Sequence, residues 1–310
     1  MTSRPEILAP EIVVVGSYNR DLILKVTRLP APGETCLAQD RSEAHGGKGS
    51  NQAVQAARCG ARVAMVAAIG VDALGEDALA MWRDAGVDAA GVARLPGVGT
   101  GMAAILVDAQ GENSIVVVPG ANAALTPAHV ETAADSLQGA RLVLAQLETP
   151  APAVRRAFEL ARAAGVTTAL NAAPAPESLD PALLGLTDIL FVNRVEACAL
   201  AGEPEPQRAA AALLPRVGRT VVLTLGAEGA LVLRRDGPAL VQPARAVPVV
   251  DTTGAGDAFI GAFAARLAAE GDMASALAWG IAAGALACGG LGATSSFADA
   301  DAIARLAALP

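Results

Sequence analysis

The chain reads as an α/β fold built on a mostly parallel central sheet, with a second, small sheet beside it. Two observations predict this. Short apolar runs alternate with helix-like segments along most of the sequence, the rhythm of strand–helix–strand units. Two segments, 22–43 and 101–119, break that rhythm: both are strand-like and neither has a helix to pair with it.

Ile12–Val15 predicts the first buried strand. Leu22–Glu43 is extended around a turn at Pro30 and Pro32-Gly33. Asn51–Cys59 predicts a helix with Ala53, Val54 and Ala57 on one face, Gln52, Gln55 and Arg58 on the other, and Gly60 as its C-cap. Val63–Ile69 follows as a strand. Met102–Val107 and Ser114–Val118, joined through Asp108–Asn113, predict a hairpin. Further strands are expected at Leu142–Leu147, Thr167–Leu170, Ile189–Val192 and Val221–Leu225. Helices are expected at Ala151–Ala164, Glu196–Ala201, Ala258–Ala269 and Ala274–Ala287. The small sheet, about residues 20–45 and 99–119, would sit at the mouth of a site and act as a lid. Its outer face is expected to carry Ile23, Ile105 and Val107, which a partner lid would cover in a homodimer.

Composition narrows the class. Of 310 residues, 53% are hydrophobic and 17% charged, enough for a large core and against disorder. A net charge of −8 argues against a nucleic-acid-binding surface. Cys36, Cys59, Cys198 and Cys288 show neither metal-ligand spacing nor a disulfide framework and read as reduced thiols. Met1 to Glu11 is too polar for a signal peptide, so a cytoplasmic location is expected. Ala274–Phe297 is uncharged and long enough to span a bilayer, but its Ala and Gly content fits a buried helix better than a membrane span.

The polar residues that follow the expected strands gather on one edge. They are Asn19 and Asp21, Glu148, Asn171, Asn193 and then Gly226. Ligands of open α/β sheets bind at that edge, outside the carboxyl ends of the strands. The strongest motif is Asp251-Thr252-Thr253-Gly254-Ala255-Gly256-Asp257, directly before an apolar helix. Small residues at Gly254, Ala255 and Gly256 let backbone N–H groups turn inward at a helix start, which makes an anion hole. Such a hole stabilises a phosphoryl group in transfer. Asp257, in the first turn, can take the proton of an attacking hydroxyl. The competing reading is an ordinary helix start with an acidic residue. A second glycine-rich turn is Gly46-Gly47-Lys48-Gly49-Ser50-Asn51-Gln52-Ala53. It is no P-loop, because Gly49 follows Lys48.

Together these two motifs resemble the N- and C-terminal signatures of the ribokinase-like (PfkB) carbohydrate kinases. The resemblance runs from Val13 to about Phe297. It extends to Gly16-Ser17-Tyr18-Asn19-Arg20-Asp21, Pro32-Gly33-Glu34-Thr35, Pro119-Gly120-Ala121-Asn122-Ala123 and Gln146-Leu147-Glu148. It implies a three-layer α-β-α kinase domain with a β-sheet lid and transfer of the ATP γ-phosphate to a sugar hydroxyl. The closest matches are to members that act on D-ribose. Fructose, 2-keto-3-deoxygluconate, deoxyribose and nucleosides are alternatives, although aromatics, at 3%, are scarce for stacking a nucleoside.

By the same resemblance, Asn19, Asp21, Gly47, Lys48, Asn51, Glu148 and Asp257 contact the sugar. Asn193, Thr224, Gly226 and Gly256 contact ATP. Asn193 and Glu196 organise Mg²⁺, partly through water, although Asn-x-x-Glu is also a capping box. A K⁺ activator is expected at Asp251, Thr253, Ala287, Gly290, Gly292 and Ser296. Two departures stand out: Arg194 where the family commonly carries Glu, and Gly290 where Arg is frequent.

Competing classes lack their residues. A dinucleotide-binding oxidoreductase needs a glycine-rich turn after the first strand, where Ser17-Tyr18-Asn19 stands. His45 and His129 sit in no catalytic motif, and no Gly-x-Ser-x-Gly elbow or histidine cluster supports a hydrolase or zinc enzyme. A non-catalytic sugar-binding protein on the same fold would have no use for an intact Asp257 beside Gly254–Gly256.

Overall fold

Why one chain makes two sheets is visible in how its strands are patterned. The computed structural model describes residues 9–175 and 178–309. Most of the N-terminal stretch read as too polar for a signal peptide lies outside the described residues. Thirteen strands form among these residues. These are β1 (Ile12–Val15), β2 (Asn19–Lys25), β3 (Asp40–Gly46), β4 (Val63–Gly70), β5 (Val87–Leu95), β6 (Met102–Val107), β7 (Asn113–Val118), β8 (Leu142–Ala145), β9 (Thr167–Asn171), β10 (Ile189–Asn193), β11 (Thr220–Thr224), β12 (Ala230–Arg234) and β13 (Leu240–Gln242). The central sheet runs β13-β12-β11-β10-β9-β8-β1-β4-β5. It is parallel from β11 to β5, and β12 and β13 close one edge as an antiparallel pair.

Its strands are apolar on both faces because helices cover both. Ile12 and Val14 point into one core, Val13 and Val15 into the other, as a period of two demands. The first core is closed by α1 (Lys48–Arg58), α2 (Ala73–Asp84) and three helices near the C-terminus. The second is closed by α3 (Pro127–Glu131), α4 (Ala134–Gly139), α5 (Ala151–Ala163), α6 (Pro181–Gly185), α7 (Arg194–Ala201) and α8 (Pro206–Leu213). The C-terminal helices are α9 (Ala255–Glu270), α10 (Met273–Ala287) and α11 (Ala300–Ala307). The fold is therefore a three-layer α-β-α sandwich. The uncharged stretch that includes α10 is core, and no helix among the described residues is long and apolar enough to cross a membrane.

The second sheet has the order β3-β2-β6-β7. Its register corrects one sequence expectation. Asp21 lies across from Ala103 and Ala103 from Val117; Ile23 lies across from Ile105 and Ile105 from Ile115. Alternation then places Ile23, Ile105 and Val107 on the face of Asn19 and Asp21, not on the outer face. The opposite face carries Leu22, Leu24, Ala104, Leu106, Val116 and Val118, and of these Val116 and Val118 are 61% and 51% exposed.

Two helix boundaries also differ from expectation. α1 starts at Lys48 and α9 at Ala255, each about a turn earlier than the sequence suggested. In α1 the glycine that looks like loop serves close packing. A Cβ on Gly49 would lie 2.5 Å from the backbone nitrogen of Ser17, so the first turn of α1 presses directly on the end of β1. α1 is also less amphipathic than read: Gln52 and Gln55 are both fully buried.

Candidate active site

The strand order reverses at β1, whose neighbours β4 and β8 carry the chain to opposite sides. The crevice outside the carboxyl ends of β1 and β8 is where such folds bind ligands. Asn19, just past β1, is held by Asn122 from the short turn after β7. The Asn122 Nδ2 donates to Asn19 Oδ1 at 2.9 Å and to the Tyr18 carbonyl at 2.8 Å. A Cβ on Gly101 would lie 2.2 Å from that Nδ2, so the chain crosses here only as glycine. Asp21 follows on β2. Burial, and then the nearby charge of Glu148, push its carboxyl up to about 7.

Glu148 joins β8 to the first turn of α1. Its Oε2 accepts from the Lys48 backbone N–H at 2.9 Å and from Ser17 Oγ at 2.5 Å. Gly47, the N-cap of α1, has φ 86°, and a Cβ there would meet Tyr18 Cα at 2.7 Å. Burial opposes the charge on the Lys48 ammonium, but the carboxylates of Asp257, Glu148 and Glu196 outweigh it and raise its pKa.

Asp257 is the third residue of α9, behind Gly254 in the left-handed conformation. It is 8% exposed. Oδ2 accepts from Asn51 Nδ2 and Oδ1 from Gln52 Nε2, each at 2.9 Å. Burial raises its pKa, while Lys48, Asn51 and Gln52 pull it back. The first N–H groups of an α-helix lack intrahelical acceptors, so the start of α9 can bind an anion beside this carboxylate.

Asp257, Lys48, Asn171, Asn193, Glu196 and Gly256 line a small cavity of about 150 Å³. It shares Thr224 and Gly256 with a larger one of about 550 Å³, walled by Gly226, Val247, Phe259, Ile281 and Cys288 among others. Asn193 and Glu196 form the capping box of α7. Asn193 Oδ1 accepts from the Glu196 N–H at 2.9 Å, and Glu196 Oε2 accepts from the Asn193 N–H at 2.8 Å. This leaves the second carboxylate oxygen of Glu196 outside the box. Arg194 turns away to the β11 end, pairing with Glu228 at 2.6 Å and donating to the Leu225 carbonyl at 3.1 Å.

Asp251 organises a loop behind α9. Its Oδ1 accepts from Thr253 N and Oγ1, and its Oδ2 from the Gly292 N–H at 2.9 Å. Ser296 Oγ donates to the Gly292 and Ala293 carbonyls. Gly290 packs against Ser296, and its N–H reaches the Ala287 carbonyl. All six residues expected around a monovalent cation therefore come together. Among the described residues no three His, Cys, Asp or Glu side chains cluster as a metal site.

The seven residues expected to meet a sugar converge, as do the four expected at the nucleotide. Two further residues join them that the sequence does not mark for the site: Gln52, on the polar face of the expected helix, and Asn122, in the Pro119–Ala123 motif. Neither spacing nor periodicity tells that Gln52 points inward; only its place next to Asn51 hinted at it.

The model of the pfkB family of carbohydrate kinases matches residues 9–300. The ribokinase of Staphylococcus aureus is 38% identical over 293 residues, covering 92% of this chain and 96% of that protein. A deoxyribokinase of Salmonella typhi is 36% identical, covering 93% and 95%. The structure of Arabidopsis thaliana ribokinase complexed with ribose and ATP superposes with a TM-score of 0.92 at 30% identity, over 97% of this chain and all of that one.

Proposed function

The chain belongs to the pfkB family of carbohydrate kinases and is an ATP-dependent sugar kinase, and from that premise we propose that it phosphorylates D-ribose at its 5-hydroxyl to give D-ribose 5-phosphate. The observation that carries this reading is the placement of Asp257. Its buried carboxylate lies where the polar cluster of Asn19, Asp21, Lys48, Asn51 and Glu148 meets the cavity system at the start of α9.

The sugar lies in the polar cluster under the small sheet, which serves as a lid. Carboxylates and amides there hold vicinal hydroxyls by paired hydrogen bonds. Asn51 fits this role: its buried Oδ1 has no hydrogen-bond partner in the protein and can accept from a sugar hydroxyl. Adenosine occupies the larger, mostly apolar cavity. The triphosphate runs past Thr224, Gly226 and Asn193 towards Gly256. Asp257 takes the proton of the attacking hydroxyl, and the N–H groups of Gly254–Gly256 and the α9 dipole receive the charge of the transferring phosphoryl group.

Oxygen donors suit Mg²⁺, and the free oxygen of Glu196 with Asn193 would hold it, mostly through water and phosphate. Mg²⁺ there would neutralise phosphate charge. The carboxylate, hydroxyl and carbonyl groups around Asp251 suit K⁺.

The deoxyribokinase similarity gives 2-deoxyribose as the second reading. Incubation with ATP and a panel of ribose, 2-deoxyribose, fructose, 2-keto-3-deoxygluconate and adenosine separates them. The highest kcat/KM is expected for ribose, with the product phosphorylated at O5. Preference for another member of the panel overturns the ribose assignment, and phosphorylation of none of them points to a non-catalytic sugar-binding protein.

A further inference from the structure

Gln52 is fully buried and lines neither cavity. Its Nε2 donates to Asp257 Oδ1 at 2.9 Å and to Asn171 Oδ1 at 3.1 Å. Its Oε1 accepts from Gln146 Nε2 at 2.6 Å. Both N–H groups of this amide and its oxygen are therefore engaged. A flip would face oxygen with oxygen at Asp257 and nitrogen with nitrogen at Gln146.

Close packing enforces the arrangement from both ends. A Cβ on Gly261, one turn after Asp257, would lie 2.6 Å from the Gln52 carbonyl, so α9 meets α1 with no side chain between them. A Cβ on Gly16 would lie 2.2 Å from Gln146 Oε1, so β1 backs the other end. The run Gln146–Gln52–Asp257 thus ties the end of β8 to the first turn of α9.

We infer that Gln52 is the positioning residue of the base: its amide fixes the rotation of the Asp257 carboxylate and favours its ionised form, without touching sugar or nucleotide. The inference rests on the reading of Asp257 as base. The charged groups facing Asp257 are Lys48 from α1, which favours ionisation, and Glu148 after β8 and Glu196 from α7, which oppose it. Asp21 of β2 stands beside Glu148. Gln52 and Asn51 are the neutral donors in this set.

The test measures kcat and sugar KM from pH 5 to 9 for the wild type, Gln52→Leu, Gln52→Glu, Asp257→Asn and the double variant Gln52→Leu/Asp257→Asn. Gln52→Leu should lower kcat by about 10- to 100-fold, the order a misplaced catalytic group costs. Sugar KM should stay within about threefold, since Gln52 touches no ligand. The acid limb of kcat should move up by about one pH unit, roughly the worth of a hydrogen bond to a charged acceptor. Gln52→Glu, which is isosteric and still accepts from Gln146, should move the limb further, because two facing carboxylates share one proton. It carries the test if Gln52→Leu fails to fold. The double variant should be no slower than Asp257→Asn alone. Acid limbs unmoved in the Gln52 variants that fold, with Asp257→Asn inactive, overturn the inference and leave the base intact. Near-normal turnover of Asp257→Asn overturns the base itself.

Discussion

Asp257 and Asp21 are both carboxylates withdrawn from water, yet they differ in what surrounds them. Around Asp257 burial still raises the pKa, but an ammonium and two amides pull it part of the way back. Asp257→Asn keeps the shape and removes the base, so kcat should fall by ~10²–10⁴-fold with sugar KM little changed. Steady-state kinetics read both. Asp21 has no cation to compensate, and burial with the Glu148 charge leaves it near 7. The folded state therefore holds a proton that the unfolded chain releases near 3.8, and Asp21 costs stability increasingly as pH rises from about 4 to 7. Asp21→Asn removes that cost. Its melting temperature should exceed the wild type's by a margin that widens from pH 4 to pH 8, while sugar KM rises by about 10- to 100-fold, the worth of charge-assisted bonds to a hydroxyl. A constant margin would mean that Asp21 is not destabilised by its burial.

At the scale of elements, the loops on either side of α9 and α10 act as one unit. Asp251 bonds Thr253 on its own loop and Gly292 on the other, just behind the start of α9. A cation bound among these carbonyls and hydroxyls would stiffen the turn that aims the N–H groups of Gly254–Gly256. K⁺ should raise kcat well above that in Na⁺ or choline salts of equal ionic strength. Equal rates in all three remove the cation from the account. Arg194 sits on a different element, α7, and is engaged by Glu228 and Leu225, so its departure from the family pattern leaves the Asn193–Glu196 box intact.

For the whole molecule, the small sheet poses the open packing problem. Both of its faces carry apolar side chains, and edge strand β7 leaves Ile115, Val116, Val117 and Val118 each about half exposed. A four-stranded sheet with apolar residues on both faces is more stable with a cover on each. The α/β domain and the proposed sugar would serve the face of Asn19 and Asp21. A two-fold partner lid would serve the other, so the protein should be a dimer. Light scattering at micromolar concentration should give about twice the chain mass of 30.9 kDa, and a mass near 30.9 kDa rules the dimer out. A charge at Leu106 or Val116, on the far face, should split the dimer. A charge at Ile105, on the near face, should weaken sugar binding first.

The sequence by itself determined the class of the fold and the chemistry of its site. Alternating apolar runs and helices specify a parallel sheet because only a strand buried on both faces can be continuously apolar. The two glycine-rich motifs point to an anion site and a base because few other arrangements need small residues and a carboxylate so close together. The residues proposed to meet the ligands, from Asn19 to Asp257, could be named one by one from their motifs. What only the tertiary structure decided were the relations between distant segments. α1 begins a turn early, since Gly49, which looks like loop, is a contact point between backbones, and α9 also begins a turn early, at Ala255. Ile23 and Ile105 share the face of Asp21, since face is fixed by register between strands far apart in the chain. Gln52 turns inward to Asp257 and Asn122 clamps Asn19, since a polar side chain in a helix or turn carries no local mark of its partner. Local sequence sets what each segment can become; the packing of segments brought together by the fold sets which groups face one another.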